Sequence, residues 1–329
     1  MELNPPRVAI VGCGRVGQKR FRALPAGIVT VACDLDPSRA QKLASLSENC
    51  RATDSVSEVV RSPNVDVVVV ATVNASLASI ACEALRANKH VLVEKPGAVS
   101  VKQLDEMARL AAEHRVQVRV GYNHRYHPAF RKARELVESG SLGPILFVRG
   151  RYGHGGRPGY EREWRADPKL SGGGELLDQG VHLIDLASLF LGQFTSVEGH
   201  VTTCFWNMPV EDNAFLSLRN ARGQTAWLHA SWTEWKNLFS LEICCRGGKL
   251  HMEGLGGSYG VERLHRYLML PQMGPPEVTT FEYPDADESW RTEMMEFFED
   301  IRVNRPSVPG LQEARAVLSV VEQIYARKP

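Results

Sequence analysis

Asp178 and His182 carry side chains that can handle a proton, and they stand four residues apart. Residues at this spacing share one face of a helix. A histidine changes charge near neutral pH, so His182 could accept the proton released when a secondary alcohol is oxidised. A surface ion pair is the alternative, but the apolar neighbours favour a buried helix. These neighbours are Leu176, Leu177, Val181, Leu183 and Ile184.

Lys95 is a third residue with chemical potential, because it follows an apolar strand and precedes Pro96. That placement puts it at the carboxyl end of a sheet strand, where open α/β sheets bind their ligands. A solvated surface charge is the other interpretation of a lone lysine. The sequence Glu94-Lys95-Pro96 after a buried strand favours the ligand-facing position.

A nucleotide-binding fingerprint lies near the start of the chain, where the first apolar strand ends in G-x-G-x-x-G. Its residues are Gly12, Cys13, Gly14, Arg15, Val16 and Gly17. Such glycines allow a tight turn and close approach of the backbone to a pyrophosphate. Asp34 ends the second predicted strand and suits the ribose hydroxyls of NAD. Arg39 lies close in the sequence and could instead bind the 2′-phosphate of NADP. We prefer a solvated Arg39 and therefore NAD.

The elements that must position these residues fall into two groups. Apolar runs alternate with helical patterns up to about residue 121, which predicts a Rossmann-type, doubly wound parallel sheet over residues 1–121. After it, a helix over 174–191 and strand-like runs between 195 and 283 predict an α+β domain with an open, mostly antiparallel sheet over 122–329. We leave open whether the C-terminal helix packs back on the first domain.

Three stretches together resemble the glucose–fructose oxidoreductase / inositol dehydrogenase / MocA family. They are 8–17 with Asp34, the stretch 88–96 that ends in Glu-Lys-Pro, and 172–185 with its D-x-x-x-H pattern. The resemblance implies an NAD(P)-dependent enzyme that interconverts alcohols and ketones on sugars, cyclitols or nucleotide sugars. It implies that Lys95 and His182 form the catalytic hydrogen-bond network and that Asp178 holds substrate hydroxyl groups. Asp185 is a candidate for orienting His182.

Further site residues follow from the same resemblance. On the cofactor side they are Thr72, Asn74, Glu94 and Lys95, while Leu77 replaces a histidine common in the family. On the substrate side they are Asn123, Arg125, Tyr126, Trp164, Arg165, Asp178 and His182. Lys236, in the tryptophan-containing stretch 232–237, is a further candidate that does not depend on the resemblance. The arginine-rich loop 149–165 suits an anionic sugar or nucleotide sugar, or else it is solvated or meets another subunit.

Composition excludes several classes of protein. The 329 residues carry a net charge of +1, which disfavours a nucleic-acid partner. No apolar run approaches the roughly 20 residues that span a membrane, and the N-terminus lacks a secretory pattern, so we expect nothing before the fold. The seven cysteines include no C-x-x-C pair, and His124, His127 and His154 offer no metal-ligand spacing beside His182. We therefore predict a cytoplasmic protein without a metal site.

The leading functional prediction is an NAD(P)-dependent dehydrogenase or reductase acting on CH–OH groups. An NAD-dependent glycoside hydrolase on the same scaffold and a non-catalytic dinucleotide-sensing regulator are the alternatives. The resemblance also implies a homodimer or homotetramer through the open sheet, because an uncovered sheet needs burial.

Overall fold

The computed structural model describes residues 6–327, so the expectation about the N-terminal residues falls largely outside the described part. The chain divides into two compact units. The first unit holds the described residues through Tyr122 together with Trp290–Leu318, and the second holds Asn123–Ser289 and the described residues from Ser319 onward. The division lies one residue from the predicted boundary, and it assigns 290–318 to the first unit.

The first unit is built on a six-stranded parallel sheet. Its strands are β1 (Val8–Val11), β2 (Val29–Cys33), β3 (Arg51–Thr53), β4 (Val67–Val70), β5 (His90–Glu94) and β6 (Val118–Gly121). They lie in the order β3-β2-β1-β4-β5-β6. All residues of β1 and β4 are buried, as expected for strands covered on both faces. The order reverses between β1 and β4, which is where such sheets bind nucleotides.

Five helices connect these strands. They are α1 (Arg15–Ala23), α2 (Pro37–Ala44), α3 (Val56–Arg61), α4 (Asn74–Arg86) and α5 (Val101–His114). Side-chain caps start α2, α3 and α5 through Asp36, Ser55 and Ser100. The sequence did not predict β3 or α3, because β3 is short, partly exposed and carries no apolar run.

The second unit contains an eight-stranded sheet. Its strands are β7 (Ile145–Gly153), β8 (Phe194–Thr202), β9 (Asn213–Asn220), β10 (Thr225–Ser231), β11 (Leu238–Cys245), β12 (Gly248–Glu253), β13 (Glu262–Leu268) and β14 (Glu277–Tyr283). Their order is β14-β13-β12-β11-β7-β10-β9-β8, and only the β7–β10 pair is parallel. The predicted fold class, a Rossmann sheet followed by a mostly antiparallel one, is confirmed.

Helices pack against strands of the second sheet. They are α6 (Pro128–Glu138) and α8 (Val181–Leu191), and α8 is preceded by a π-helix over Leu176–Gly180. The short α7 (Pro168–Ser171) lies in the connection before the π-helix. The helix predicted over 174–191 is present from Leu176 onward, and its first part has the wider π geometry. Gly150 of β7 allows α8 to approach, since a Cβ there would lie 3.2 Å from Leu183.

The last two helices are α9 (Ser289–Val303) and α10 (Leu311–Tyr325). Met294 and Phe297 of α9 are fully buried in the same core as Val8 and Ile10. The C-terminal part of the chain therefore contributes to the core around β1. Among residues 6–327, no helix is both long and apolar enough to cross a bilayer.

Candidate functional site

The loop after β1 needs glycine for steric reasons. Gly12 has φ +96°, and a Cβ there would lie 2.4 Å from the carbonyl oxygen of Ala71. A Cβ at Gly17 would lie 1.9 Å from the carbonyl oxygen of Gly12. The turn between β1 and α1 is therefore as tight as the fingerprint predicts.

Gly14 lies at the start of α1 and leaves room for a ligand. A Cβ built on it meets nothing within 4 Å. The helix has no side-chain cap and no acidic residue in its first turn. Its first N–H groups can therefore receive an anion such as a pyrophosphate. The residues present fit the dinucleotide that the fingerprint implies.

Asp34 is fixed at the end of β2 by two backbone donors. Its Oδ2 accepts the N–H of Cys13 at 2.7 Å, and its Oδ1 accepts the N–H of Asp36 at 2.9 Å. Each carboxylate oxygen retains acceptor capacity for a ribose hydroxyl. Arg39 lies 3.3 Å from Asp36, and its side chain is 62% exposed. That Arg39 is solvated and does not bind a cofactor stays a prediction.

Thr72 and Asn74 follow the carboxyl end of β4, the strand that neighbours β1 in the sheet. The hydroxyl of Ser76 donates to Oγ1 of Thr72 at 2.9 Å, and Asn74 is buried at the start of α4. Leu77 is fully buried in the core. Leu77 therefore packs in the core at the position where many family members have a histidine.

Glu94 takes part in a buried ion network instead of lying free at the strand end. Its Oε1 accepts from Nε of Arg20 at 2.6 Å, and Arg20 also lies 2.6 Å from Glu293 of α9. Arg20 is fully buried and stacks 4.5 Å from the ring centroid of Trp290. Burial raises the pKa of Glu293 to about 7. The carboxylate of Glu94 therefore has a structural partner in Arg20, and the half-buried Lys95 follows it directly in the chain.

In the second unit, Glu211 holds the start of the segment that carries Asp178. Its Oε1 accepts the backbone N–H groups of Gly174 at 3.1 Å and Leu176 at 3.3 Å. The hydroxyl of Tyr325 donates to the same oxygen at 2.6 Å. The donors of this helix start are thus satisfied inside the protein. Asp178 lies in the π-helix, a geometry that occurs frequently at functional sites.

Arg165 contacts the predicted catalytic carboxylate directly. Its Nε donates to Oδ2 of Asp178 at 2.9 Å, and its guanidinium lies 4.6 Å from the ring centroid of Trp164. The charge of Asp178 raises the pKa of Arg165. The structure therefore brings together three residues that the sequence placed on the substrate side.

His182 is buried among aromatic rings at the start of α8. Its imidazole stacks on that of His124 with a centroid distance of 3.9 Å, and the ring of Tyr152 lies 6.1 Å away. Burial and the neighbouring Tyr259 raise the pKa of Tyr152 well above its usual value, so Tyr152 stays neutral. One turn earlier, Gln179 donates to the hydroxyl of Tyr259 at 3.2 Å.

Arg125 and Asn123 have structural partners. Arg125 forms a two-pronged pair with Asp185, with N–O distances of 2.8 and 2.6 Å. Asn123 donates to Oγ of Ser289 at 2.9 Å, and Tyr126 is 6% exposed. Asp185, a candidate for orienting His182, thus directs both carboxylate oxygens at Arg125. The pair ties the 3-10 turn over 123–126 to α8.

The arginine-rich loop has nearby counter-charges. Arg157 lies 2.6 Å from Glu163, and Arg162 lies 3.3 Å from Glu161. The remaining close pairs are Arg165 with Asp178 and Arg149 with Glu242. Two of these carboxylates lie outside the loop, so four of the five arginines in the loop have a carboxylate close by. Lys236 is exposed in the turn between β10 and β11.

Sequence reasoning missed two polar groups near Asp178. Tyr160 is 2% exposed and Trp232 is fully buried, with ring centroids 5.1 Å apart. Within residues 6–327 the hydroxyl of Tyr160 and Nε1 of Trp232 have no hydrogen-bond partner. The charge of Asp178 contributes to raising the pKa of Tyr160, although burial is the larger cause. The only sequence signal for Tyr160 was its place in a glycine-rich loop.

The described part of the chain contains no cluster of three or more His, Cys, Asp or Glu residues arranged to hold a metal ion. The histidines that the sequence left available have other contacts. His127 lies 2.8 Å from Glu262, and His154 accepts the N–H of Gly156 at 2.9 Å.

Comparison with family models places both parts of the chain. A model described as an oxidoreductase family with an NAD-binding Rossmann fold matches residues 6–122. A model described as the GFO/IDH/MocA C-terminal domain matches residues 130–251.

Curated relatives match at moderate identity. D-glucoside 3-dehydrogenase of Escherichia coli is 31% identical over 255 residues, which cover 70% of this chain and 72% of that protein. Levoglucosan dehydrogenase of Pseudarthrobacter phenanthrenivorans is 29% identical over 203 residues, which cover 61% of this chain and 52% of that protein. An uncharacterized oxidoreductase, YrbE of Bacillus subtilis, is matched over 53% of its length at 26% identity. The chain thus spans about half the length of the last two relatives.

Solved structures share the fold along almost the whole chain. Levoglucosan dehydrogenase in complex with NADH and levoglucosan aligns with a TM-score of 0.87 at 22% identity, covering 98% of this chain and 96% of that one. UDP-N-acetylglucosamine 3-dehydrogenase from Acidithiobacillus ferrooxidans aligns with a TM-score of 0.82 at 20% identity, covering 98% and 97%. These structures show the shared fold. The two matched family models and the 31% identical D-glucoside 3-dehydrogenase confirm the resemblance seen in the sequence: the chain belongs to the GFO/IDH/MocA family of oxidoreductases with an NAD-binding Rossmann fold.

Proposed function

We propose that this chain is an NAD-dependent oxidoreductase that transfers a hydride between nicotinamide and a secondary hydroxyl or ketone of a sugar or cyclitol. The observation that carries the proposal is the Asp178–His182 segment. An acceptor carboxylate and a buried imidazole lie on consecutive turns, and Arg165 and Glu211 hold that segment in place. Such a pair can bind a hydroxyl group and take up its proton.

The proposed roles follow the chemistry of each side chain. When bound, NAD supplies the hydride acceptor for alcohol oxidation. His182 accepts the hydroxyl proton on a ring nitrogen, and Asp178 accepts a hydrogen bond from a hydroxyl of the substrate. Lys95 donates N–H groups to the oxygen that becomes a carbonyl oxygen. All three roles rest on residue chemistry and on the family's motifs.

We propose an uncharged polyhydroxy ring as the substrate class. Four arginines between residues 149 and 165 lie close to carboxylates, which leaves less charge for an anionic substrate than the sequence suggested. Carboxylate, hydroxyl and indole N–H groups suit neutral hydroxyl groups. Relatives named levoglucosan dehydrogenase, D-glucoside 3-dehydrogenase and scyllo-inositol 2-dehydrogenase support this class.

We further propose a homodimer through the uncovered face of the second sheet. Trp227, Phe147 and Phe215 are 66%, 40% and 38% exposed on that face. A groove of about 470 Å³ lies between β7, β8, β9 and β10. Such an apolar surface is unusual in a monomer. Trp227→Asp should yield monomers in sedimentation, whereas Trp235→Asp, in an exposed turn, should leave the assembly unchanged.

A substrate screen with the purified chain tests the proposed function. Levoglucosan, methyl glucosides, inositols and nucleotide sugars are each incubated with NAD or NADP, and NADH or NADPH is followed by absorbance. We expect NADH formation with a neutral sugar or cyclitol. NADH binding without any turnover would instead support a dinucleotide-sensing regulator, and release of a free sugar without NADH accumulation would support a glycoside hydrolase. The cytoplasmic location stays a prediction.

A further inference from the structure

His124 stacks on His182, and the proposed hydride transfer assigns it no role. Its ring and that of His182 lie face to face, with centroids 3.9 Å apart and planes inclined by 15°. The two side chains are 7% and 5% exposed. His124 comes from the 3-10 turn over 123–126 and His182 from α8, so two distant segments meet at this stack.

The protonation of His124 is set by a chain of hydrogen bonds. Nδ2 of Asn123 donates to Oγ of Ser289 at 2.9 Å, which leaves its Oδ1 facing Nδ1 of His124 at 3.2 Å. An amide oxygen can only accept, so in this amide orientation Nδ1 of His124 carries a proton. Any second proton on His124 must go to Nε2 and would make the ring cationic.

Two stacked imidazoles oppose double protonation. Two positive charges 3.9 Å apart in a buried setting repel strongly, so a proton on one ring disfavours a proton on the other. A neutral ring, by contrast, offers its π face to a neighbouring cation. His182 can therefore become cationic most readily while His124 remains neutral.

The surrounding charged groups have partners of their own. Arg125 faces Asp185, Arg165 faces Asp178, and Glu262 accepts from the N–H of Ala129 at 2.6 Å. Titratable and charged groups also lie around the stack on the elements packed against it. They are Tyr152, Tyr259, Glu175, Asp178, Asp185, Arg125, His127, Glu262 and Asp287.

We propose that His124 and His182 form a stacked pair that takes up at most one proton, and that His124 is a positioning residue that keeps His182 ready to accept the proton of the substrate. The second part of this proposal rests on the proposed function, whereas the first part does not. His124 acts through the plane and the neutral charge of its ring, and it need not touch the substrate.

The first test is an NMR titration of the full chain labelled with ¹⁵N-histidine, between about pH 5 and about pH 8, where histidines ordinarily titrate. Signals are assigned by comparison with His124→Phe and His182→Phe. We expect no more than one ring of the pair to become cationic over this range. Both rings becoming cationic together would overturn the proposal, with or without enzymatic turnover.

The second test compares kinetics of His124→Phe, which keeps a flat ring, with His124→Leu, which does not. We expect His124→Phe to stay within a few-fold of wild type, while His124→Leu loses about tenfold or more in kcat with little change in KM and a displaced pH profile. His114→Leu, at the end of α5, is the matched control and should behave as wild type. A wild-type kcat and pH profile in His124→Leu would refute the positioning role and leave the proposed function intact.

Discussion

Nε of Arg165 donates a hydrogen bond to Oδ2 of Asp178 at 2.9 Å. An arginine that the sequence suggested for an anionic ligand thus orients the carboxylate proposed to bind a hydroxyl group. This relationship favours the proposed neutral sugar over the anionic sugar that the loop 149–165 also allowed, and it can be tested by removing the arginine.

Arg165→Gln should weaken substrate binding, because Asp178 loses the donor that fixes its orientation. Hydrogen bonds to charged groups contribute about 2 kcal/mol, so KM should rise about tenfold or more. Arg162→Gln is the matched control, since Arg162 is 83% exposed and pairs with its neighbour Glu161. Equal KM values for the two variants would show that Arg165 does not prepare Asp178.

Asp34→Ser should weaken NADH binding about tenfold and narrow the preference for NADH over NADPH. The serine removes the acceptor for the ribose hydroxyls together with the negative charge that repels a 2′-phosphate. Dissociation constants of both cofactors, measured by nucleotide fluorescence, check this expectation. Asp105→Ser, on the exposed surface of α5, should bind both cofactors as wild type does. An unchanged preference in Asp34→Ser would contradict the assignment of Asp34.

Glu293→Gln should change how the stability of the protein depends on pH. Burial raises the pKa of Glu293 to about 7, so the folded protein keeps a proton that the unfolded chain releases above its ordinary value of about 4.3. The stability that protonated Glu293 contributes is fully present below the pKa of the unfolded chain, and it is lost as the pH rises through about 7. The free energy of unfolding should therefore fall for wild type relative to Glu293→Gln between these values, by at most about 1.4 kcal/mol per pH unit.

Urea unfolding at several pH values measures this difference. Glu299→Gln, an exposed position on the same helix that pairs with Arg302, is the control and should keep the wild-type decline. A constant difference between wild type and Glu293→Gln across the range would rule out titration of Glu293 near neutral pH.

Local patterns carried much of the fold prediction. The glycine fingerprint and fully apolar strands such as β4 predicted the first sheet, because a covered parallel strand excludes polar residues on both faces. Strand β3 and helix α3 escaped prediction because they are short and lack such a run. The π-helix at Asp178 has no local signal in the sequence, and the side chain that holds its start, Glu211, lies far away along the chain.

The sequence predicted which types of residue form the site, but it predicted few of the residues with which they form ion pairs. Asp178, His182 and Arg165 stand out by type and motif. The pairing of Arg20 with Glu94 and Glu293 joins residues far apart in the sequence, which no local spacing reveals. Arg125 and Asp185 are also far apart in the sequence. Their pair connects the 3-10 turn over 123–126 to α8, although the sequence suggested a substrate contact for Arg125.

Lys95→Ala removes the amine that is proposed to bind the reacting oxygen, and Lys102→Ala on the exposed surface of α5 is its control. For both variants we measure turnover of the best substrate from the screen and the dissociation constant of NADH. Their melting temperatures must equal that of the wild type, which shows that both variants are folded. We predict that Lys95→Ala loses at least about 100-fold in kcat while binding NADH nearly as wild type does, and that Lys102→Ala keeps both properties. Wild-type turnover by Lys95→Ala would contradict the account.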